Sequence, residues 1–263
     1  MELPETLSCV TLNVLFDPRI PSHSPEHFYQ RWPHICDLFK QKNVQVITLQ
    51  EVHEEFLESV DRFAHSTRFK STRRLYHTIR NTYLVTLWRC ELECISMGSY
   101  ESLGHYSKML VVNLVWNDRI LSFCNVHLPL GASNPQERLI ATRDFLRTAA
   151  MGGLFIFVGD WNTLPKRGDV EQLDIADQVG RLVPWKFPDT LECETTFYGF
   201  SHESVEYRGY NKPVVLDRLC VATGLHVWDA VCEHHFCEIG GRTVPISDHM
   251  PCFYEVCCDN DNK

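Results

Sequence analysis

Residues 135–162 read PQERLIATRDFLRTAAMGGLFIFVGDWN. One stretch thus holds a helix, its stop signal, an apolar strand and the polar residues that end the strand. Leu139, Ile140, Phe145 and Leu146 recur on one helical face, so this segment predicts an amphipathic helix. Gly152-Gly153 closes it, because glycine accepts the left-handed backbone a helix end requires. The run LFIFV is strand-sized and apolar, and Gly159-Asp160 stops it. A one-sided helix feeding an apolar strand places the helix on the outside of a sheet.

The same grammar extends in both directions. SCVTLNVLF (8–16) reads as a strand, FYQRWPHICDLFKQKN (28–43) as a helix broken or kinked near Pro33, and VQVITLQEV (44–52) as a buried strand. EEFLESVDRFAHS (54–66) predicts a second helix, and TYLVTLWRCELECISM (82–97) carries further strands. KMLVVNLVWN (108–117) and RILSFCNVHL (119–128) form a hairpin about Asn117-Asp118. In the last third, DIADQVGRLV (174–183) reads as a short helix and TTFYGF (195–200), VVLDRLCVAT (214–223) and PCFYEVCC (251–258) as strands. No repeat of fixed period occurs. Strand pairs interleaved with helices predict an α/β protein, a four-layer α/β sandwich of two packed mixed sheets with helices outside. The expected organisation is a single domain over 1–258 with a short polar tail at 259–263.

Composition narrows the class. The 263 residues are 44% hydrophobic, which excludes disorder, and 34 acidic against 25 basic residues give a net charge of −9. The longest apolar runs fall well short of the ~20 residues a membrane-spanning helix needs, so no membrane partner is expected. MELPETLSCVTLNVLFD (1–17) lacks a basic start followed by an apolar stretch, which predicts an intracellular, cytoplasmic or nuclear protein. Twelve cysteines sit mostly in apolar strands, Cys9, Cys124, Cys220 and Cys252 among them, and read as buried thiols. Cys232-Glu-His-His-Phe-Cys237 has no second ligand pair, and no structural zinc is expected there. Charge is uneven: Arg62, Arg68, Lys70, Arg73, Arg74, Arg80 and Arg89 fall in a run without an acidic residue, a strip suited to phosphates in an otherwise acidic chain.

Polar residues recur where strands end: Asn13 and Asp17, Gln50-Glu51, Asn125 and His127, Asp160 and Asn162, Asp217-Arg218, and Ser247-Asp248-His249. A carboxylate at the end of an apolar strand is costly to bury unless it is paired or holds a metal. Glu51, Asp248 and Asn13 supply the oxygen donors that a hard dication, Mg2+ or Mn2+, prefers. Asp160 and Asn162 on one turn can hold an attacking water, and His249 can meet a phosphate oxygen. The set matches hydrolysis of a phosphate ester.

Taken in order, LNVLFD, LQEV, NVHLP, GDWN, LDR and ISDHMP resemble the motif series of the endonuclease/exonuclease/phosphatase superfamily, over Asn13 to His249. The resemblance implies the four-layer sandwich, Mg2+ (or Mn2+), and a site at one rim of the sheets. Glu51, Asn13 and Asp248 resemble the metal-binding positions, and Asp160 with its companion Asn162 those that position water. His249 resembles the histidine facing the scissile phosphate, Asp217 the carboxylate orienting it, and His127 a second phosphate-facing histidine. LQEV, HL followed by Glu137-Arg138, TTFYG and LDRL make the chain most similar to the 5′-tyrosyl-DNA phosphodiesterase branch, in which a basic residue after GDxN contacts a phosphate. Lys166 or Arg167 stands in that place, and Arg73 and Arg74 lead the basic strip. The implied function is a metal-dependent phosphodiesterase acting as a monomer on nucleic acid, DNA or RNA, with Trp161, Phe197, Tyr198 and Tyr210 as aromatic candidates. The alternative is a small-molecule phosphatase acting on inositol phosphates or phosphoinositides, and a third reading is a non-catalytic domain that kept the fold.

Overall fold

The computed structural model describes residues 5–14, 25–77, 81–102, 107–128, 135–162, 185–186, 217–247 and 249–259. The expected elements at 174–183 and 195–200 lie outside these residues, as do Phe197, Tyr198 and Tyr210. Two sheets of six strands each carry the fold. The first contains β1 (Thr6–Asn13), β2 (Val46–His53), β3 (Phe69–His77), β4 (Thr82–Arg89), β11 (Leu225–Cys232) and β14 (Cys252–Cys258), in the order β11-β14-β1-β2-β4-β3. The second contains β5 (Glu93–Glu101), β6 (Lys108–Trp116), β7 (Arg119–His127), β8 (Leu154–Asp160), β9 (Trp185–Lys186) and β10 (Asp217–Ala222), in the order β5-β6-β7-β8-β10-β9. A separate hairpin joins β12 (Phe236–Ile239) to β13 (Arg242–Pro245).

Both large sheets are mixed, as expected. β1 and β2 run parallel, joined by α1 (Pro25–Gln41), and β7 and β8 run parallel, joined by α3 (Pro135–Ala150). The remaining neighbours in the two sheets are antiparallel. The helix α2 (Leu57–Ser66) follows β2. Three cores separate four layers. Phe28, Trp32, Ile35 and Phe39 of α1 and Val60 and Phe63 of α2 pack on Val10, Leu12, Ile47 and Leu49 of the first sheet. Leu7, Cys9 and Val46 meet Val112, Leu114, Phe123, Ile156 and Val158 between the sheets. Ala141, Phe145 and Leu146 of α3 cover Cys124, Val126, Phe155 and Phe157. Helices therefore flank two stacked sheets, the four-layer sandwich.

Three expectations need adjustment. α1 is continuous through Pro33 rather than broken. Pro33 is exposed, and the Tyr29 carbonyl whose partner it removes lies one turn earlier on the same solvent side, where water can serve it. The run 82–97 divides between sheets, β4 in the first and β5 in the second. β3 was not expected as a strand, because polar residues at Lys70, Ser71, Thr72, Arg73 and Arg74 hide its alternation. The Asn117-Asp118 hairpin is as expected: both residues have positive φ, and Trp116 pairs with Arg119 around them.

Candidate active site

Strand ends from both sheets converge on one rim. In the second sheet His127, Asp160 and Asp217 are register partners across β7, β8 and β10, so they form one row on the face that meets the first sheet. Parallel strands β7 and β8 approach closely here. Gly159 faces Val126, and a Cβ at Gly159 would fall 2.1 Å from the Val126 carbonyl oxygen, so only glycine fits before Asp160. The first sheet contributes Asn13 at the end of β1, paired in register with Gln50 of β2.

Glu51 reaches the cleft by a local device. Strict alternation would turn it toward the helices, with Ile47 and Leu49. Instead β2 carries a bulge between Leu49 and Val52, and Glu51 adopts φ +55°. The alternation resets, and the Glu51 carboxylate stands 3.6 Å from His127 Nε2 on the opposite sheet. His127 Nε2 is also 3.4 Å from Asp160 Oδ2, and Tyr76 stacks on its ring at 4.4 Å and 18°. Asn162, too, is left-handed, with φ +49°. Its backbone N–H donates to Asp160 Oδ1 at 2.8 Å and its side-chain amide to the Leu128 carbonyl at 2.9 Å. Asn13 donates to Asp160 Oδ2 at 3.0 Å.

His249 completes the cluster. Its Nδ1 lies 2.7 Å from Asp217 Oδ2, which fixes the ring and leaves Nε2 3.8 Å from Asp160 Oδ2. Ser247 anchors this turn, donating to the Asn13 carbonyl at 2.6 Å and accepting from the His249 N–H at 3.3 Å. Arg31 of α1 donates to the neighbouring Ile246 carbonyl at 2.7 Å. Beneath the cleft Gln50 donates to Asn125 Oδ1 at 2.8 Å, and Asn125 donates to the Leu49 and Val85 carbonyls, tying the two sheets together.

Burial dominates the electrostatics. Asp160 is almost wholly enclosed, which pushes its carboxyl up to about 7; the Asp217 carboxylate adds to the rise, while His249, Asn13 and Asn162 oppose it. Asn13 is bonded to Asp160, and Glu51 and Asp160 approach the same His127 from opposite sheets, so oxygen-bearing side chains of the kind a hard dication prefers line this rim. Asp160, Asp217 and His249 also lie close enough to share an ion. The tight Asp217–His249 bond makes those two an orienting pair, which leaves Glu51 and Asn13, both on the first sheet's edge, as the oxygen-bearing side chains outside that pair.

Asn13, Glu51, His127, Asp160, Asn162, Asp217 and His249 are therefore brought together at one rim. Asp248, Lys166 and Arg167 lie outside the described residues. Trp161 is core, edge-on to Phe157 at 5.1 Å and buried under α3. The basic run does not form one face. Arg73 and Arg74 point to opposite faces of β3: Arg73 pairs with Asp61 of α2 at 2.9 Å, and Arg74 with Glu101 of β5 at 2.8 Å. Arg62 and Arg68 pair with Glu58 and Glu91, and Arg89 binds the Val44 and Thr67 carbonyls. The balancing carboxylates sit just outside 62–89, where counting within the run misses them. Cys232 and Cys237 face different cores. Tyr76 was not singled out from sequence; its signal, a residue two beyond Arg74, depends on recognising β3.

The family model described as Endonuclease/Exonuclease/phosphatase family matches residues 10–249. The chain belongs to that family of phosphoesterases, and its fold is the family's sandwich. Among solved structures, TDP2 from D. rerio complexed with single-strand DNA product is similar at TM-score 0.75 and 15% identity, covering 95% of this chain and 98% of that one. TDP2 is a tyrosyl-DNA phosphodiesterase. A family protein from Bacteroides thetaiotaomicron gives 0.74 and 13%, covering 97% and 98%. The human Nocturnin catalytic domain with bound sulfate gives 0.71 and 12%, covering 98% and 96%. No curated protein sequence matches the chain significantly.

Proposed function

We propose that this protein is a divalent-metal-dependent phosphodiesterase that hydrolyses a phosphate ester of nucleic acid, an end-processing activity like that of the tyrosyl-DNA phosphodiesterases. The observation that carries it is the buried Asp160, raised to about 7 and set between the Asp217-oriented His249 and the Glu51–His127 pair. A carboxylate poised near neutral pH is matched to taking a proton from water. Asp160 accepts that proton, and Asn162 and Asn13 hold its two oxygens in place. His249, its Nδ1–H bound to Asp217, presents Nε2 to a non-bridging phosphate oxygen and balances the charge that builds there. His127 does the same from the other side, its ring held by Tyr76.

Glu51 and Asn13 would hold Mg2+ or Mn2+, together with Asp248 by the motif resemblance, and the ion would supply a Lewis acid for a phosphate oxygen. The structural likeness to a TDP2 that binds single-strand DNA supports nucleic acid as the substrate class. Among the described residues no helix is long and apolar enough to cross a membrane. None of the eleven described cysteines is in a disulfide, the state a reducing intracellular setting maintains.

The test is turnover with and without Mg2+ on a 5′-phosphotyrosyl single-stranded DNA, an RNA oligonucleotide and a soluble inositol polyphosphate, with His249→Ala as blank. Metal-dependent cleavage of either nucleic acid, reduced in the blank by about 10²–10³ or more, is expected. Hydrolysis of the inositol polyphosphate alone overturns the substrate class.

A further inference from the structure

The catalytic row of the second sheet has one more member. Lys108 of β6 is the register partner of His127, on the side away from Asp160, and its side chain is only 15% exposed. Directly opposed residues in antiparallel strands lie about 5 Å apart at Cα and share a face. Lys108 therefore stands beside His127 in the same cleft. One of its ammonium protons goes to the Leu75 carbonyl at 3.0 Å, where β3 shifts register between Leu75 and His77. Tyr76, at that shift, stacks on His127, and Arg74 two residues earlier faces the second sheet as well.

Both cations converge on one carboxylate. Glu101, itself the register partner of Lys108, lies 2.8 Å from Arg74 and 3.5 Å from Lys108. The Arg74 hydrogen bond first, and the Lys108 charge second, hold the Glu101 carboxyl below its usual range. Glu101 is half exposed, and exposed pairs of this kind are weak, so another anion can displace it. A phosphodiester suits the vacated place better, because guanidinium grips phosphate through two donors and a bound strand releases counterions.

We propose that Arg74 and Lys108 form a phosphate subsite beside His127, which Glu101 fills in the free protein and yields to a backbone phosphate of the substrate strand next to the scissile ester. The inference rests on the nucleic-acid reading above. Glu101 then acts as an internal competitor, setting substrate affinity without touching the reacting atoms. Arg73 is the built-in control, since it has the same charge and similar exposure on the opposite face of β3.

The experiment measures binding of a fluorescein-labelled single-stranded DNA by anisotropy, in full-length protein carrying Asp160→Asn to stop turnover. Glu101→Gln is expected to lower Kd about three- to tenfold, and to steepen the salt dependence by about 0.7 for each additional phosphate bound. Arg74→Gln raises Kd by a similar factor, and Glu101→Gln loses its effect in that background. Arg73→Gln changes little. An unchanged Kd in Glu101→Gln, or equal weakening by Arg73→Gln and Arg74→Gln, overturns the subsite. The cleavage assay on the otherwise unaltered protein decides substrate class independently. If only inositol polyphosphate is hydrolysed, the nucleic-acid reading falls, and the same variant series titrated with that polyphosphate by calorimetry tests the subsite.

Discussion

Asp160 carries two burdens that a single substitution separates. Its carboxyl is raised from 3.8 to about 7 by burial, so the folded protein binds this proton more tightly than the unfolded chain does. Stability from the protonated form is complete below about pH 4 and is lost as pH rises toward 7, to a limit of about 4 kcal/mol. Asp160→Asn removes the ionisation but keeps the size and much of the hydrogen bonding to Asn13 and Asn162. In EDTA, its melting temperature relative to the parent should rise between pH 5 and pH 8, while turnover falls by orders of magnitude. Thermal melts across that range check the sign. A variant whose relative stability declines with pH shows that the carboxylate is stabilised in the ionised form, and ends its role as a base poised near neutrality.

Elements determine whether such residues can meet. β7 and β8 lie so close at Gly159 that a methyl group there would sit 2.1 Å from the Val126 oxygen, and Gly159 already holds φ +141°. Gly159→Ala should therefore cost roughly 3 kcal/mol or more, read as a lower urea midpoint, and displace Asp160 one residue later. An unchanged midpoint would show that the strands part without penalty. Gly159-Asp160 was legible in the chain because an apolar run stopped at a glycine and an acid, and so were His127 and Asp217 at the ends of similar runs. Glu51 was found as a residue but not as a geometry: alternation alone points it at α1 and α2, and only the bulge at Leu49–Val52 returns it to the cleft. β3 stayed hidden for a related reason. Both its faces carry charge, Arg73 toward Asp61 and Arg74 toward Glu101, so no period-2 apolar signal marks it, and the Tyr76–His127 stack and the Arg74–Glu101 pair are hidden with it. Long-range ion pairs depend on which strand ends face each other, and local pattern does not encode that.

At the scale of the whole molecule the site exists only in the assembled sandwich. Asn13 and Glu51 come from the first sheet, Asp160 and Asp217 from the second, and the rim gathers carboxylates in a protein already at net charge −9. Their mutual repulsion works against packing the sheets at this edge, while the apolar core between them and the Gln50–Asn125 bridge work for it. A dication held at Glu51 and Asn13, as proposed above, would relieve the repulsion and bind the folded state alone, since the unfolded chain scatters its donors. Linkage then requires Mg2+ to stabilise the protein: at a concentration 100 times its Kd the gain is about 2.7 kcal/mol, or roughly 5–10 °C in Tm for a chain of this size. Glu51→Gln should abolish most of that rise while shifting the metal-free Tm little or upward, because a like charge leaves the rim. Differential scanning fluorimetry of EDTA-stripped protein measures it, with NaCl at matched ionic strength to remove general screening. An equal Mg2+ response in Glu51→Gln and the parent would place the ion elsewhere and remove Glu51 from the metal site.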